Sequence, residues 1–524
     1  MAEQLTQLVI GLNFGSGYSC ITILNKDQQP EIIANEDGEH KIATVISFLG
    51  EEELYGNQAK AQLVRNARNT VTDFQQLVGV AYSSEWAGRY PNNTVVEKNG
   101  KVGFQVEYQG ESVVFTADEL AEQFLKRLVE TAANYVGKPV DGVVMAYPSN
   151  YSTAQRQALE AVTRAAGLKV LQLVEEAPSA VLAYGIGQTS TTTNPQDTNV
   201  LVVDAGANST TVSTVTVRGG LYSVVSSVHN DQFHGSAIDK VLQSHFQNEF
   251  KRQTKIDITG NARAQAKLAA SCEITKRTLS RSNAAPCSVE SLADGEDLHA
   301  TVNRMRFDIM CNKLYSELLA TVQKSLEAAH FLPRELDQVV LVGGCTRIPR
   351  LQAKLRQVLG DQIPLCMDIE PDEVVAHGCA AQARVWLNSA MTALTSATPL
   401  VTPMVTVPLG IQLGDESFTT VIPRNTPLPA VRSVELSTPF TYAFVTVAEG
   451  KVETVPKQPQ DDDDDDDEIP AIKVHTDRVL GDVVLSDIPA DSSVSVSFQL
   501  SLDKVLTVVV TEPKSQKSAT LTIA

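Results

Sequence analysis

Three stretches of the chain share one design, an apolar strand that runs into a glycine turn: QLVIGLNFGSG near residue 12, NVLVVDAGANS near 204 and QVVLVGGCTRIP near 343. The first two resume as β-branched runs, SCITIL and STTVSTVTV, so each reads as a hairpin with a phosphate-sized loop. Gly15 and Gly17 carry no Cβ and let the backbone approach an anion. A unit that occurs twice in one chain reads as a duplicated core. Helical stretches lie between the copies, such as TADELAEQFLKRLVETAANYV, apolar at three-to-four spacing after an acidic start. Strands alternating with helices predict an α/β fold.

The pattern changes near residue 395. SATPLVTPMVTVPLG is Pro-rich and apolar like a linker, and only short alternating runs follow it (SFTTVIP, YAFVTVAEG, SVSVSFQLS, VLTVVVTEP, ATLTIA). Such runs, separated by turn signals, predict a β-sandwich. The expected division is therefore an α/β domain over 1–395, an interdomain linker over 396–411 and an all-β sandwich over 412–524. Asp461 to Glu468 form an anionic block that cannot pack, so 457–470 reads as an acidic loop.

Charge narrows the choice of partners. With 43 Lys plus Arg against 62 Asp plus Glu, the net charge of −19 repels phosphate backbones and argues against direct nucleic-acid binding. The seven cysteines are scattered and free of CxxC spacing, which argues against a disulfide framework and a zinc site and suits a reducing compartment. The start MAEQLTQLVIGL lacks a basic segment followed by a long apolar core, and no apolar run reaches about 18 residues. The expectation is a cytoplasmic chain with no membrane contact.

In QAKLAASCEITKRTLSRS, Glu273, Lys276, Arg277 and Ser280 stand at offsets 0, 3, 4 and 7 and share one helix stripe. Alone, that stripe is a solvated face with an i,i+4 ion pair. Two phosphate-sized turns upstream, and Arg347 in GGCTRIP with a planar group able to stack on a purine, favour a nucleoside clamp.

The ordered motifs IGLNFGSGYSC, NTVTDFQQLVG, VVMAYPSNY, EEAPSAVLAYG, VVDAGANSTTVS, CEITKRTLS, LVGGCTRIP and EPDEVVAHG resemble the DnaK-like heat shock protein 70 chaperones. The resemblance runs from residue 8 to about 524 and implies an actin-like, duplicated ATPase domain followed by a peptide-binding β-sandwich. It implies ATP as ligand, bound by Gly15, Ser16, Gly17 and Tyr18 of the first loop and by Gly206, Asn208, Ser209 and Gly235 around the second. Glu273, Lys276, Arg277, Ser280, Gly343, Gly344, Cys345, Arg347 and Asp372 would complete the nucleoside side.

Other positions depart from the family. Asn13 replaces an aspartate that helps fix hydrated magnesium, and Gln75 replaces the lysine that positions the attacking water and neutralises γ-phosphate charge. Gln76 is a second lost cation, Ala207 and Asn208 replace loop glycines, and Thr211 stands where another metal-proximal aspartate is usual. Glu176 and Asp204 survive. Phosphoryl transfer depends on positioning and charge neutralisation, so the expectation is a chain that binds ATP without productive hydrolysis. It would have no catalytic residue and hold magnesium at most weakly, through Asp204. The last strand, ATLTIA, leaves no helical lid.

A short, lidless member of this kind is similar to the atypical chaperone of the ribosome-associated complex, which pairs with a J-domain protein called zuotin in fungi. The implied role is a scaffold or co-chaperone that reaches the ribosome through that partner and stimulates a second, active DnaK-like chaperone for nascent-chain folding. The alternative is an autonomous ATP-hydrolysing, peptide-binding chaperone.

Overall fold

The computed structural model describes residues 7–90, 92–187, 197–388, 403–412, 417–455 and 471–523. They fall into two compact units, one built from Met1–Ile186, Thr198–Val217 and Val224–Leu394, the other centred on Thr395–Ala524. The acidic stretch 457–470 and the first half of the expected linker lie outside the described residues.

The first unit contains the duplication. In one sheet Val9–Phe14 pairs antiparallel with Tyr18–Leu24 and parallel with Gly142–Tyr147, which pairs parallel with Val170–Glu175. In the other, Thr198–Ala205 pairs antiparallel with Thr210–Arg218 and parallel with Gln338–Val342, which pairs parallel with Leu365–Cys366. Both sheets thus repeat one order of neighbours. Central strands in contact with parallel neighbours are covered on both faces, which is why VIGLNF and GVVMAY read as apolar runs rather than alternations. Each sheet belongs to its own core, one drawn from residues between Ile10 and Leu168, the other from residues between Leu201 and Ile363. This is the actin-like ATPase architecture that the resemblance implied.

Helix Ala117–Val136 shows how local sequence sets the frame. Thr116 and Glu119 form a reciprocal capping box at its start, and Gly137, at φ 73°, ends it. Its buried stripe includes Leu120, Phe124, Leu125 and Leu128. Phe124 packs on Phe14 and on Phe74, with both ring centroids 5.9 Å away. One aromatic trio therefore anchors the first hairpin and the turn that carries Gln75.

The second unit is a β-sandwich. One four-stranded sheet runs Phe418–Ile422, Leu409–Gln412, Tyr442–Val455, Ala471–Ser486, and the other runs Ala430–Thr438, Ser492–Leu500, Leu506–Glu512, Lys517–Ile523. In Ser492–Leu500 and Leu506–Glu512 alternate residues are buried, among them Val494, Val496, Phe498, Val508 and Val510, and both sheets contribute to one core. Strand Leu409–Gln412 begins inside the stretch read as linker, because Val405, Leu409 and Ile411 alternate into this core. Prolines 403 and 408 precede the strand rather than interrupt it. All seven cysteines are free thiols, six of them buried. No described helix is long and apolar enough to cross a membrane.

Candidate nucleotide cleft

The two glycine turns face one cavity. Asn13, Gly15, Ser16, Gly17 and Tyr18 line it from the first hairpin, Asp204, Gly206, Ala207, Ser209 and Thr211 from the second, and Gly343 and Gly344 from the neighbouring strand end. A Cβ on Gly17 would stand 2.4 Å from the Ala207 methyl, so the two loops touch there and only glycine fits. Gly343 has φ 79°, and a Cβ on it would meet the Ala205 carbonyl oxygen at 2.3 Å. Both turns are braced. Thr44 donates from its hydroxyl to the Gly15 carbonyl at 2.7 Å and from its amide to the Gly17 carbonyl at 3.0 Å. The amides of Gly235 and Ser236, at the start of helix Gly235–Thr254, donate to the carbonyls of Gly206 and Ala207 at 3.0 and 2.8 Å.

Gln75 and Gln76 line the same cavity. Gln75 is buried, and its carbonyl accepts from the Tyr151 hydroxyl at 2.8 Å. The preceding Asp73 sits in the left-handed region at φ 59° and accepts hydrogen bonds from Thr72 and from the Asn208 side chain. Asn208 in turn accepts from the Ser236 hydroxyl at 2.7 Å, so this side chain ties one lobe to the other. Surrounding protein pushes the Asp73 carboxyl up to about 6, against the lowering effect of those two hydrogen bonds.

Glu176 and Asp204 line the cavity together. Burial raises both well above the ordinary carboxylate range; the Asp204 charge adds to the rise at Glu176, and that of Asp372 to the rise at Asp204. Such a pair retains a proton near neutral pH unless a cation arrives. Asn13 Oδ1 is buried without a hydrogen-bond partner among the described residues. Oxygen atoms of this kind suit magnesium, which is held by one or two carboxylates together with substrate phosphates. Among the described residues no trio of His, Cys, Asp or Glu could hold a metal on its own.

The helix stripe stands where its spacing placed it, on Ala262–Arg281. Lys60 of the first lobe donates to Glu273 at 2.6 Å, and the Tyr18 hydroxyl donates to Glu273 at 2.9 Å. Arg277 lies over the Tyr18 ring, 5.2 Å from its centroid, and donates to Glu273 at 2.6 Å. Burial alone would raise Glu273, but Lys60 and Arg277 hold it at about 2. Lys276 pairs with Asp239 at 2.7 Å, and the Ser280 hydroxyl turns back to the Lys276 carbonyl. Arg347 pairs with Asp372 at 2.8 Å and with Glu370, and Lys41 reaches Asp372 at 2.8 Å.

Asp372 thus lines the cavity beside the hairpin residues. Glu273, Lys276, Arg277, Ser280, Gly235, Cys345, Arg347 and Asn208 are not among the lining residues, and the Glu273 stripe connects to the cavity through Tyr18. Sequence reading missed Lys41, Lys60, Asp73, Arg89 and Asp239. Lys60 and Asp239 carried a signal, since Glu273 and Lys276 each needed a partner of opposite charge once buried.

Comparison with known proteins agrees with this geometry. A family model described as Hsp70 protein matches residues 9–524. A heat shock protein 70 homologue of Schizosaccharomyces pombe is 34% identical over 476 residues, covering 86% of this chain and 83% of that protein. A ribosome-associated molecular chaperone of Eremothecium gossypii is 32% identical over 538 residues, covering 100% and 83%. Heat shock 70 kDa protein 14-B of Xenopus laevis is 33% identical over 439 residues, covering 83% and 86%. These matches correct the expectation of a chain without productive hydrolysis. Hsp70 proteins are ATPases, and the match runs through the whole cleft, including Glu176 and Asp204. Substitutions at Asn13, Gln75 and Thr211 change the wall of that cleft but leave its buried carboxylate pair in place.

Proposed function

The chain belongs to the Hsp70 family, and on that premise we propose that it is an ATP-dependent chaperone that works on nascent polypeptides at the ribosome together with a J-domain partner. Residues 1–395 act as the nucleotide-binding part, the stretch from 396 up to strand Leu409–Gln412 as the connection, and that strand with the chain that follows it as the peptide-binding sandwich. The observation that carries the reading is the convergence of two braced glycine turns on one cavity holding Glu176 and Asp204. The turns present backbone to the α- and β-phosphates, and the stripe from Glu273 to Ser280, with Arg347 and Asp372, grips the nucleoside. Asp204, Glu176 and Asn13 would hold magnesium, which supplies charge neutralisation on the phosphates when bound. Glu176 and Asp204, which burial raises well above the ordinary carboxylate range, would release the proton they hold as the cation is bound.

Ribosome association, and with it a cytoplasmic location, is supported by the similarity to ribosome-associated molecular chaperones of several fungi. A chain of net charge −19 is repelled by rRNA, so the ribosome contact passes through a basic, zuotin-like J-domain partner in a stable pair. That pair supports a second DnaK-like chaperone at the exit site.

The test is purification of the full chain from cells, with its partners identified and its nucleotide counted, followed by ATP turnover with and without the J-domain protein. Stoichiometric nucleotide, turnover lost in Asp204→Asn and sedimentation with ribosomes are the expected results. A chain that binds no nucleotide, or that never sediments with ribosomes, overturns the reading.

A further inference from the structure

The cavity wall described above holds three carboxylates, Glu176, Asp204 and Asp372, yet the ligand assigned to it is itself a polyanion. Among its described lining residues only one side chain is permanently cationic, Arg89. Position 75, where the family resemblance calls for a lysine, is Gln75, and Gln76 beside it is also neutral.

Arg89 closes the short turn Ser84–Arg89, which starts with the Ser83 hydroxyl accepting from the Glu85 amide. Its guanidinium carbon lies 4.9 Å from the centre of the Trp86 ring. Trp86 lines the cavity as well and packs against the first-lobe core, so the indole is a fixed platform under the charge. The next residue, Tyr90, is buried, and its hydroxyl donates to the Asp73 carbonyl at 3.4 Å, which ties the turn to the segment carrying Gln75. From the second lobe Thr211 and His229 line the same space, 3.3 Å apart between Thr211 Oγ1 and His229 Nδ1. Burial lowers His229 below the ordinary histidine range, so it adds no charge at neutral pH. Arg277 and Arg347 each have a carboxylate within 2.8 Å. Arg89 has none within ion-pair distance among the described residues; Asp231, held low first by its bond from Gln232 and only weakly by Arg89, is the acidic group that feels it.

We propose that Arg89 is the phosphate-binding cation of this cleft, taking the terminal phosphate of a bound nucleoside triphosphate and supplying the positive charge that position 75 lacks. The inference rests on the reading of the cleft as an ATP site. A guanidinium presents two parallel N–H donors to two phosphate oxygens, which an ammonium cannot do. The transition state of phosphoryl transfer spreads negative charge over three equatorial oxygens, where a positioned arginine acts most strongly. In the reaction, ATP and water give ADP, inorganic phosphate and a proton. The P–O bond to the β-phosphate breaks, the bond to the water oxygen forms, and Arg89 remains charged throughout, taking and giving no proton.

The experiment uses the full chain as wild type, Arg89→Ala, Arg89→Lys and Asp204→Asn. Calorimetry gives dissociation constants for ATP, ADP and adenosine, and single-turnover assays give the rate of hydrolysis. Arg89→Ala is expected to weaken ATP on the order of tenfold, to leave adenosine unchanged and to slow hydrolysis by about 10²–10³. Arg89→Lys is expected to restore much of the ATP affinity and little of the rate. An Arg89→Ala chain that matches wild type in ATP affinity and rate, while Asp204→Asn fails, overturns the role of Arg89 and leaves the ATP site standing. A wild-type chain that binds neither ATP nor adenosine overturns both.

Discussion

Asp73→Asn tests the electrostatics of the cleft floor. The Asp73 carboxyl is held at about 6 against an ordinary 3.8, first by burial. A group that keeps its proton more tightly folded than unfolded loses stability as the pH rises between those two values, because the unfolded chain ionises first. The cost is small below about pH 4, grows to about pH 6 and stays constant above about pH 7. At 1.36 kcal/mol per pH unit the full difference is about 3 kcal/mol, which the carboxylate's partial solvent access reduces to about 2 kcal/mol. Asparagine tolerates the left-handed backbone at φ 59° and still accepts from Asn208. What it loses is the bond from the Thr72 hydroxyl, worth about 1 kcal/mol at any pH. The variant is therefore expected to be less stable than wild type by about 0.5 kcal/mol at pH 4, where little of the ionisation cost is yet felt. At pH 7.5 it is expected to be more stable by about 1 kcal/mol. Both tryptophans, Trp86 and Trp386, lie in the first unit. Urea unfolding followed by their emission reads this unit alone. A stability difference of one size and sign at both pH values would refute the argument.

Three further outcomes follow from geometry. Gly343→Ala forces a side chain onto φ 79° and into the Ala205 carbonyl, so it should destabilise the first unit by about 2 kcal/mol or more and reduce nucleotide binding, checked by denaturation and calorimetry. Arg277→Ala removes the cation over Tyr18 and one partner of Glu273; nucleotide affinity should fall on the order of tenfold while co-purification with the J-domain protein persists. Phe498→Ala empties a fully buried site in the sandwich and should cost about 3–5 kcal/mol, read as early hydrogen exchange in Ser492–Leu500 and Leu506–Glu512.

The parts of this molecule that were legible in the sequence are those written in adjacent residues. An apolar strand before Gly15 and Gly17 and a β-branched run after them announced a hairpin, the acidic Asp118–Glu119 start announced a helix N-terminus, and offsets of 3, 4 and 7 put Glu273, Lys276, Arg277 and Ser280 on one stripe. Contacts made across long separations were not legible. Lys60 meets Glu273 across 213 residues and Tyr18 meets it across 255, and no local pattern marks either pairing. Arg89 lies in a six-residue turn too short for any periodicity, so its place beside the phosphate loops emerges only in three dimensions. The end of the linker was misplaced because two prolines outweighed the alternation of Val405, Leu409 and Ile411. The reading of a chain without hydrolysis failed for a related reason: it took substitutions at Asn13, Gln75 and Thr211 one by one, while the surrounding wall of the cleft was still unseen.

The distribution of sulfur turns the molecule into its own reporter. Every cysteine precedes residue 395, and Cys272, Cys287, Cys311 and Cys345 are sealed in the second lobe, while Cys20 and Cys379 are sealed elsewhere in the same unit. A maleimide added to the folded chain should label Cys366 first, the single partly accessible thiol. Each later mass increment then counts an opening of the nucleotide-binding unit, and the sandwich, which has no sulfhydryl, adds nothing to the tally.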